Sequence, residues 1–338
     1  MNNLISWFQM RYPELVKDMR DSTHHLLEGE LEGYGSTLNP YHLEGTVFEH
    51  TLLVCKQAEK ENKLVKIAAL LHDIGKPDTR MVNPRNGRVS FFNHDAVSAF
   101  KSIEILNHPY LGLTDSEKSH IFNLLALHTQ VFKQTPEQLK DLFIGQQALA
   151  DDFIRLGVAD SNGRFTSVPS LTLSEYINVN QKEVVSKNKE VIIMCGLPGS
   201  GKSTWKYPFN HEGSYMTVTR DGAVLALGKG DTYNEKWETA DQKEVDRFLQ
   251  EQFKIAKTQD TVVVDMTHMS KKSRRRSLSH FDSSYKKTCV VILKDLPTTY
   301  LQNDKRVGKV IDRKVIKHMM TSFYPPMLDQ FDEIKYIF

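Results

Sequence analysis

The segment Gly196-Leu-Pro-Gly-Ser-Gly-Lys-Ser-Thr204 follows the apolar run VIIMC at residues 191–195. It fits the pattern G-x-x-x-x-G-K-[ST] with a strand in front and a helix expected behind. The chemistry is a grip on phosphate. Gly199 and Gly201 let the backbone curl so that its N–H groups face phosphate oxygens, and a helix N-terminus adds partial positive charge. Lys202 is placed to reach the outer phosphates and the Ser203 hydroxyl to ligate Mg²⁺. Gly196, Ser200 and Thr204 complete the cradle.

A phosphate cradle does not specify the acceptor, but three further features favour phosphoryl transfer over a switch or a motor. The segment MTVTRDG carries Arg220 and Asp221 to the end of a strand, where a carboxylate can take a proton from an attacking hydroxyl. A helix-start Asp would read the same way. TVVVDMTH ends another strand in Asp265, a position suited to organising Mg²⁺ or an acceptor pocket. NDKRVGKVIDRKV is a glycine-punctuated basic stretch before a helix. It reads as a lid in which Arg306 neutralises charge on the transferring phosphoryl group.

The first half of the chain carries a different chemistry. His50, the adjacent pair His72 and Asp73, His94, His128 and Asp160 recur along apolar helical patterns. A lone histidine on such a face is usually a packed core residue, but an ordered His/Asp set is a metal-ligand set. These donors suit Mn²⁺, Co²⁺, Ni²⁺, Fe or Zn²⁺, and such a site acidifies bound water. Lys76, one turn past the pair, is placed to hold a phosphate. His24, His25 and His42 read as surface residues.

Residues 1–182 place apolar side chains three or four apart and read as helical, with NPRNGRVSFFNH as a turn and loop between helices. Near residues 180–188 the texture changes. Beyond that point apolar strand runs alternate with helical patterns, which predicts a parallel α/β sheet over 188–338. The expected fold class is therefore multidomain: an all-α domain followed by an α/β phosphate-binding domain. A length of 338 residues agrees with two domains. No window approaches the roughly 18 apolar residues of a membrane span, and the first residues lack a secretory pattern. Cys55, Cys195 and Cys289 read as reduced core residues of a cytoplasmic protein. The net charge is only +2, but basic residues crowd at 271–276 and 305–317. Crowding of this kind describes a solvated face or a phosphate-contacting one.

GLPGSGKSTW, TRDG, VVVDMTHMSKKSRRR and NDKRVGKV resemble the 5′-polynucleotide kinase domain of RNA-repair enzymes over residues 189–338. The resemblance implies Asp221 as general base, Lys202 and Ser203 on ATP and Mg²⁺, and roles for Asp265 and Arg306. The family's acceptor-phosphate arginine falls near Val224 here, so the cluster at 271–276 is the candidate replacement. NPYHLEGTVFEHTLLV, HDIGKP and FFNHDAVSA resemble HD phosphohydrolases, most closely those attached to tRNA nucleotidyltransferases. That implies His50, His72, Asp73 and Asp160 as metal ligands, with His94 and His128 bringing a second metal. Together the two halves resemble HD–polynucleotide-kinase fusions. The implied substrates are ATP and RNA or DNA ends bearing a 5′-hydroxyl or a 2′,3′-cyclic phosphate. An RNA ligase is the implied partner, with no membrane. Two rival readings remain open: a small-molecule or nucleoside kinase fused to a nucleotide phosphohydrolase, and an ATP-gated binding module.

Overall fold

The computed structural model describes residues 1–30, 39, 41–166, 177–183, 185–205 and 215–338. The chain divides into two compact units, Met1–Asn180 and Gln181–Phe338. No helix among the described residues is long and apolar enough to cross a membrane.

The first unit is helical. Its centre is the helix Lys63–Leu71, whose residues Val65, Ile67, Ala68, Ala69, Leu70 and Leu71 are all buried. A helix apolar on most sides belongs inside. The helices Val47–Gln57, Asp115–Leu127 and Gln147–Asn162 pack around it. Their starts are set locally. Thr46 with Glu49 and Thr114 with Glu117 form capping boxes, each satisfying two orphan N–H groups. The turn after Asp73 lies tightly on the helix His94–Leu106. A Cβ at Gly75 would come within 2.5 Å of the Ser98 nitrogen and 2.6 Å of the His94 carbonyl oxygen, and the Gly75 N–H donates to Ser98 Oγ at 2.9 Å. Only glycine permits that approach, which carries the His72-Asp73 turn up to His94.

The stretch expected as a plain loop contains a strand. Arg80–Val82 (β1) and Val89–Phe91 (β2) pair antiparallel, with Met81 opposite Ser90. Two strands this short carry too few alternating residues to stand out in a sequence.

The second unit is built on a five-stranded, all-parallel sheet. Lys189–Cys195 (β3), Met216–Thr219 (β4), Thr261–Asp265 (β5), Tyr285–Ile292 (β6) and Glu333–Ile337 (β7) lie in the order β4-β5-β3-β6-β7. Ile192, Met194, Val263, Val290 and Ile292 form a buried cluster in it. The edge strand β7 is only half-buried along its length and has no apolar run to announce it. Register decides the placement of the chemistry. Met194 pairs with Asp265, and Asp265 with Thr219. The three strands therefore end in one row, and the segments leaving them emerge along one edge of the sheet. Behind the phosphate loop residues 202–204 form a turn, closed by the Trp205 N–H donating to the Gly201 carbonyl at 3.0 Å, and no helix is formed there among the described residues. Residues 206–214, on which the expected helix would fall, lie outside the described residues. All three cysteines are free and buried.

Two candidate active sites

In the helical unit, six sequence-selected residues converge. His72 and Asp73 leave the end of the helix Lys63–Leu71. His94 opens the helix His94–Leu106, and His128 follows the helix Asp115–Leu127. The Nδ1 atoms of His72, His94 and His128 donate to the carbonyls of Ala69, Phe91 and Leu125 at 2.9, 2.7 and 2.7 Å. A carbonyl only accepts, so Nδ1 carries a proton in each ring, and in the neutral imidazole each Nε2 presents a lone pair. Those lone pairs face one another. His94 and His128 Nε2 are 3.1 Å apart, and His72 and His50 Nε2 are 3.4 Å apart.

Asp73 lies between the two pairs. Its Oδ2 is 3.2 Å from His72 Nε2 and 3.5 Å from His50 Nε2. Its Oδ1 is 3.2 Å from His94 Nε2 and 3.7 Å from His128 Nε2. Both carboxylate oxygens are buried without a well-directed hydrogen bond. Buried lone pairs crowded together are costly and are satisfied by cations, of which Lys76 Nζ reaches Asp73 Oδ2 at 2.7 Å. Among the described residues three groups have the required compactness, each with ligand atoms within 4.8 Å: His50/His72/Asp73 and Asp73/His94/His128, which share Asp73, and His24/His42/Glu44. The donors therefore fit a divalent metal, and Asp73 is common to two of the groups.

Asp160 joins through His50 Nε2 at 3.1 Å and takes Arg164 Nη2 on both oxygens at 2.8 Å. Burial alone would raise both carboxyls. His72 and Lys76 hold Asp73 well below the usual carboxylate range, and Arg164 and His50 do the same for Asp160. Lys76 is buried, with Nζ 2.7 Å from Asp73 Oδ2 and 3.1 Å from His24 Nε2.

The surface assignment of His24 and His42 is overturned. His24 is 1% exposed and stacks on His42 with ring centroids 4.2 Å apart. Glu44, which the sequence reading passed over, accepts from His42 Nδ1 at 2.8 Å and lies 2.9 Å from His50 Nδ1. Burial pushes His42 down to about 3. No short-range pattern separates these residues from surface histidines. Their burial follows from the segment around residues 22–25 crossing the start of the helix Val47–Gln57, where Thr23 bridges to Thr46.

In the α/β unit, the loop after β3 closes back on the sheet. Gly199 has φ +83°, and a Cβ there would lie 2.5 Å from the Thr299 carbonyl oxygen. Lys202 Nζ donates to the Gly196 and Leu197 carbonyls at 2.8 Å. Burial lowers its ammonium to about 8, against the pull of Asp265. Ser200 Oγ is buried without a hydrogen-bond partner, and a Cβ on Gly201 would meet nothing within 4 Å. The cradle is open on that side, with spare donors, and fits a polyphosphate and its Mg²⁺. Ser203 and Thr204 are exposed.

Asp221 lies in the first turn of the helix Arg220–Leu227, one residue inside rather than at the strand end. Its Oδ1 accepts from the Tyr233 hydroxyl at 2.7 Å, and its Oδ2 pairs with Lys309. Burial would raise Asp221, but Lys309 and Tyr233 hold it low. Burial raises Asp265, with Lys202 opposing. Arg306 is close enough for its charge to act on Lys202 and Asp221, yet the lid cation in contact with Asp221 is Lys309. Arg220 is held to Asp246 and Gln242, both at 2.7 Å. Val224 is fully buried.

The basic cluster at 271–276 is not the uniform charged face its composition suggests. Arg274 is 0% exposed and donates to the carbonyls of His268, Met269 and Pro325 at 3.0–3.2 Å. Lys271 pairs with Asp329.

Each half matches a known family model. A family model described as HD domain matches residues 47–154, and one described as AAA domain matches residues 191–326. An A-adding tRNA nucleotidyltransferase of Deinococcus radiodurans is 31% identical over 133 residues, 38% of this chain and 30% of that protein. A CC-adding tRNA nucleotidyltransferase of Thermus thermophilus is 31% identical over 119 residues, 35% of this chain and 26% of that protein. The chain thus spans less than a third of the length of these curated relatives. A solved structure described as "Structure of Pnkp1/Rnl/Hen1 complex" matches at 22% identity with a TM-score of 0.27, covering 39% of this chain and 44% of that one.

Proposed function

Starting from a chain that joins an HD domain to a P-loop domain of the AAA type, we propose a bifunctional enzyme that heals RNA ends. The α/β unit phosphorylates a 5′-hydroxyl, and the helical unit removes phosphate from a 2′,3′-cyclic or 2′(3′)-phosphate end. The observation that carries the kinase reading is the row of Met194, Asp265 and Thr219. It sets the phosphate loop, Asp265 and Asp221 along one sheet edge. RNA as substrate is supported by the HD relatives, whose names place them on tRNA.

Asp221 takes the proton of the attacking hydroxyl as its oxygen bonds to the γ-phosphorus and the bond to ADP breaks. Before that step Asp221 must give up Lys309, which then turns to phosphate. Lys202 and Arg306 face the charge that spreads over the transferring group. Ser203 would hold Mg²⁺, and Asp265 would order its surroundings. Arg220, tied to Asp246 and Gln242, borders the acceptor pocket.

In the helical unit, His50, His72, Asp73 and Asp160 would hold one divalent ion, and Asp73, His94 and His128 a second. A divalent metal bound there supplies acidified water and charge for phosphoester hydrolysis. Lys76, beside Asp73, receives the substrate's phosphate oxygens. Glu44 and Arg164 orient His50 and Asp160 from behind.

The test is RNA bearing a 5′-hydroxyl and a 2′,3′-cyclic phosphate, incubated with ATP, Mg²⁺ and Mn²⁺, with both ends read. Asp221→Ala is expected to abolish 5′ labelling and spare the 3′ reaction, and Asp73→Ala to do the reverse. Label appearing on a nucleoside or sugar and never on RNA would overturn the reading.

A further inference from the structure

We propose that Tyr233 and Trp237 form a stacking platform for the nucleobase at the 5′ end of the acceptor strand. The proposal rests on the 5′-hydroxyl kinase reading and names how the acceptor is gripped beyond its reacting hydroxyl.

The helix Tyr233–Thr239 begins in a capping box between Thr232 and Glu235 and contains no buried residue. Its aromatic side chains therefore have no core to fill. Tyr233 spends its hydroxyl on Asp221 Oδ1 at 2.7 Å, which places the ring directly beside the proposed base. Trp237 follows one turn later, its ring centroid 6.2 Å from that of Tyr233 and the planes inclined by 29°. Trp237 remains 42% exposed. The two rings thus follow one another along the helix, beginning at the Asp221 contact.

Cations alternate with these rings. The Arg220 guanidinium lies 5.7 Å from the Trp237 centroid and Lys309 Nζ 4.2 Å from that of Tyr233. Arg220 is fixed there by Asp246 and Gln242. The lid is tied to the same helix, with the Asn234 N–H donating to the Gly308 carbonyl at 3.0 Å. It brings Val307, 99% exposed, to the rim. Aromatic faces interleaved with cations are what a single strand needs, since bases stack and phosphates pair. Such a grip is independent of Val224, which is buried and offers the acceptor nothing.

The experiment is steady-state kinase assay of the full chain on a short 5′-hydroxyl oligoribonucleotide and on the same strand lacking its 5′-terminal base. Removing the base is expected to raise the wild-type acceptor KM roughly tenfold, the scale of one lost stacking contact. Trp237→Ala should raise the KM of the intact strand similarly, with no further loss on the abasic strand. Trp237→Phe should recover most of the affinity, and the KM for ATP should not move. An acceptor KM within about twofold of wild type in Trp237→Ala, a base-removal penalty that persists in that variant, or a rise in the ATP KM instead would overturn the platform. Failure of the wild-type protein to label any oligonucleotide would remove the kinase reading itself, and the platform with it. That outcome is distinct because it precedes any variant.

Discussion

Glu44 lies 2.9 Å from His50 Nδ1, while Nε2 of the same ring sits 3.1 Å from Asp160. One imidazole is held on its outer edge by a buried carboxylate and faces the candidate metal centre with its inner edge. A carboxylate behind a ligating histidine fixes the ring's tautomer and raises its basicity. Glu44→Ala is expected to weaken Mn²⁺ binding roughly 10- to 100-fold, measured by titration calorimetry. Asp73→Ala should abolish binding at both candidate positions. Unchanged affinity in Glu44→Ala would mean that Glu44 only packs.

Lys202 provides a pH test. Burial lowers its ammonium to about 8, so the free protein loses this charge as pH rises through that value. Bound phosphates favour the charged form. Nucleotide binding above that pH must therefore take up a proton, and ATP affinity is expected to fall between about pH 7 and about pH 9. Lys202→Arg, always charged, should flatten the dependence. Calorimetry in buffers of different ionisation enthalpy reads the proton directly.

Gly199 tests the loop. Alanine there would adopt φ +83° and drive its Cβ to 2.5 Å from the Thr299 carbonyl oxygen. A left-handed non-glycine residue costs on the order of 1–3 kcal/mol. Gly199→Ala should lower the melting temperature of the α/β unit and weaken ATP binding. Gly201→Ala meets no neighbour within 4 Å, so any loss there should come from backbone strain at φ +96° rather than from a clash.

Arg274 tests whether the basic cluster is structural. Its guanidinium satisfies three carbonyls and the Gln330 side chain. Arg274→Leu leaves those acceptors buried and bare, and should destabilise the unit by roughly 3 kcal/mol in urea denaturation. Arg275→Leu, on an exposed position, should change stability little.

Much of the phosphate loop was legible because its chemistry is contiguous. Glycine spacing, one lysine and a preceding apolar run travel together in the fourteen residues 191–204, and no distant partner is needed to read them. Apolar runs alternating with helical patterns likewise announced the parallel sheet. The His/Asp set was legible as residue types in an order, while its geometry was not. His50 and Asp160 are 110 residues apart and meet only once the helices have closed around Lys63–Leu71.

Burial was beyond the sequence for the same reason. His24 and Arg274 sit in polar stretches, and only the neighbours that cover them tell them from surface residues. The partners of Asp221 depended on a helix and a lid at separate points of the chain, so Tyr233 and Lys309 carried no local signal. Short-range spacing encodes what a segment can do by itself. Long-range closure decides which side chains face one another, because burial and pairing energies arise only after distant segments have packed.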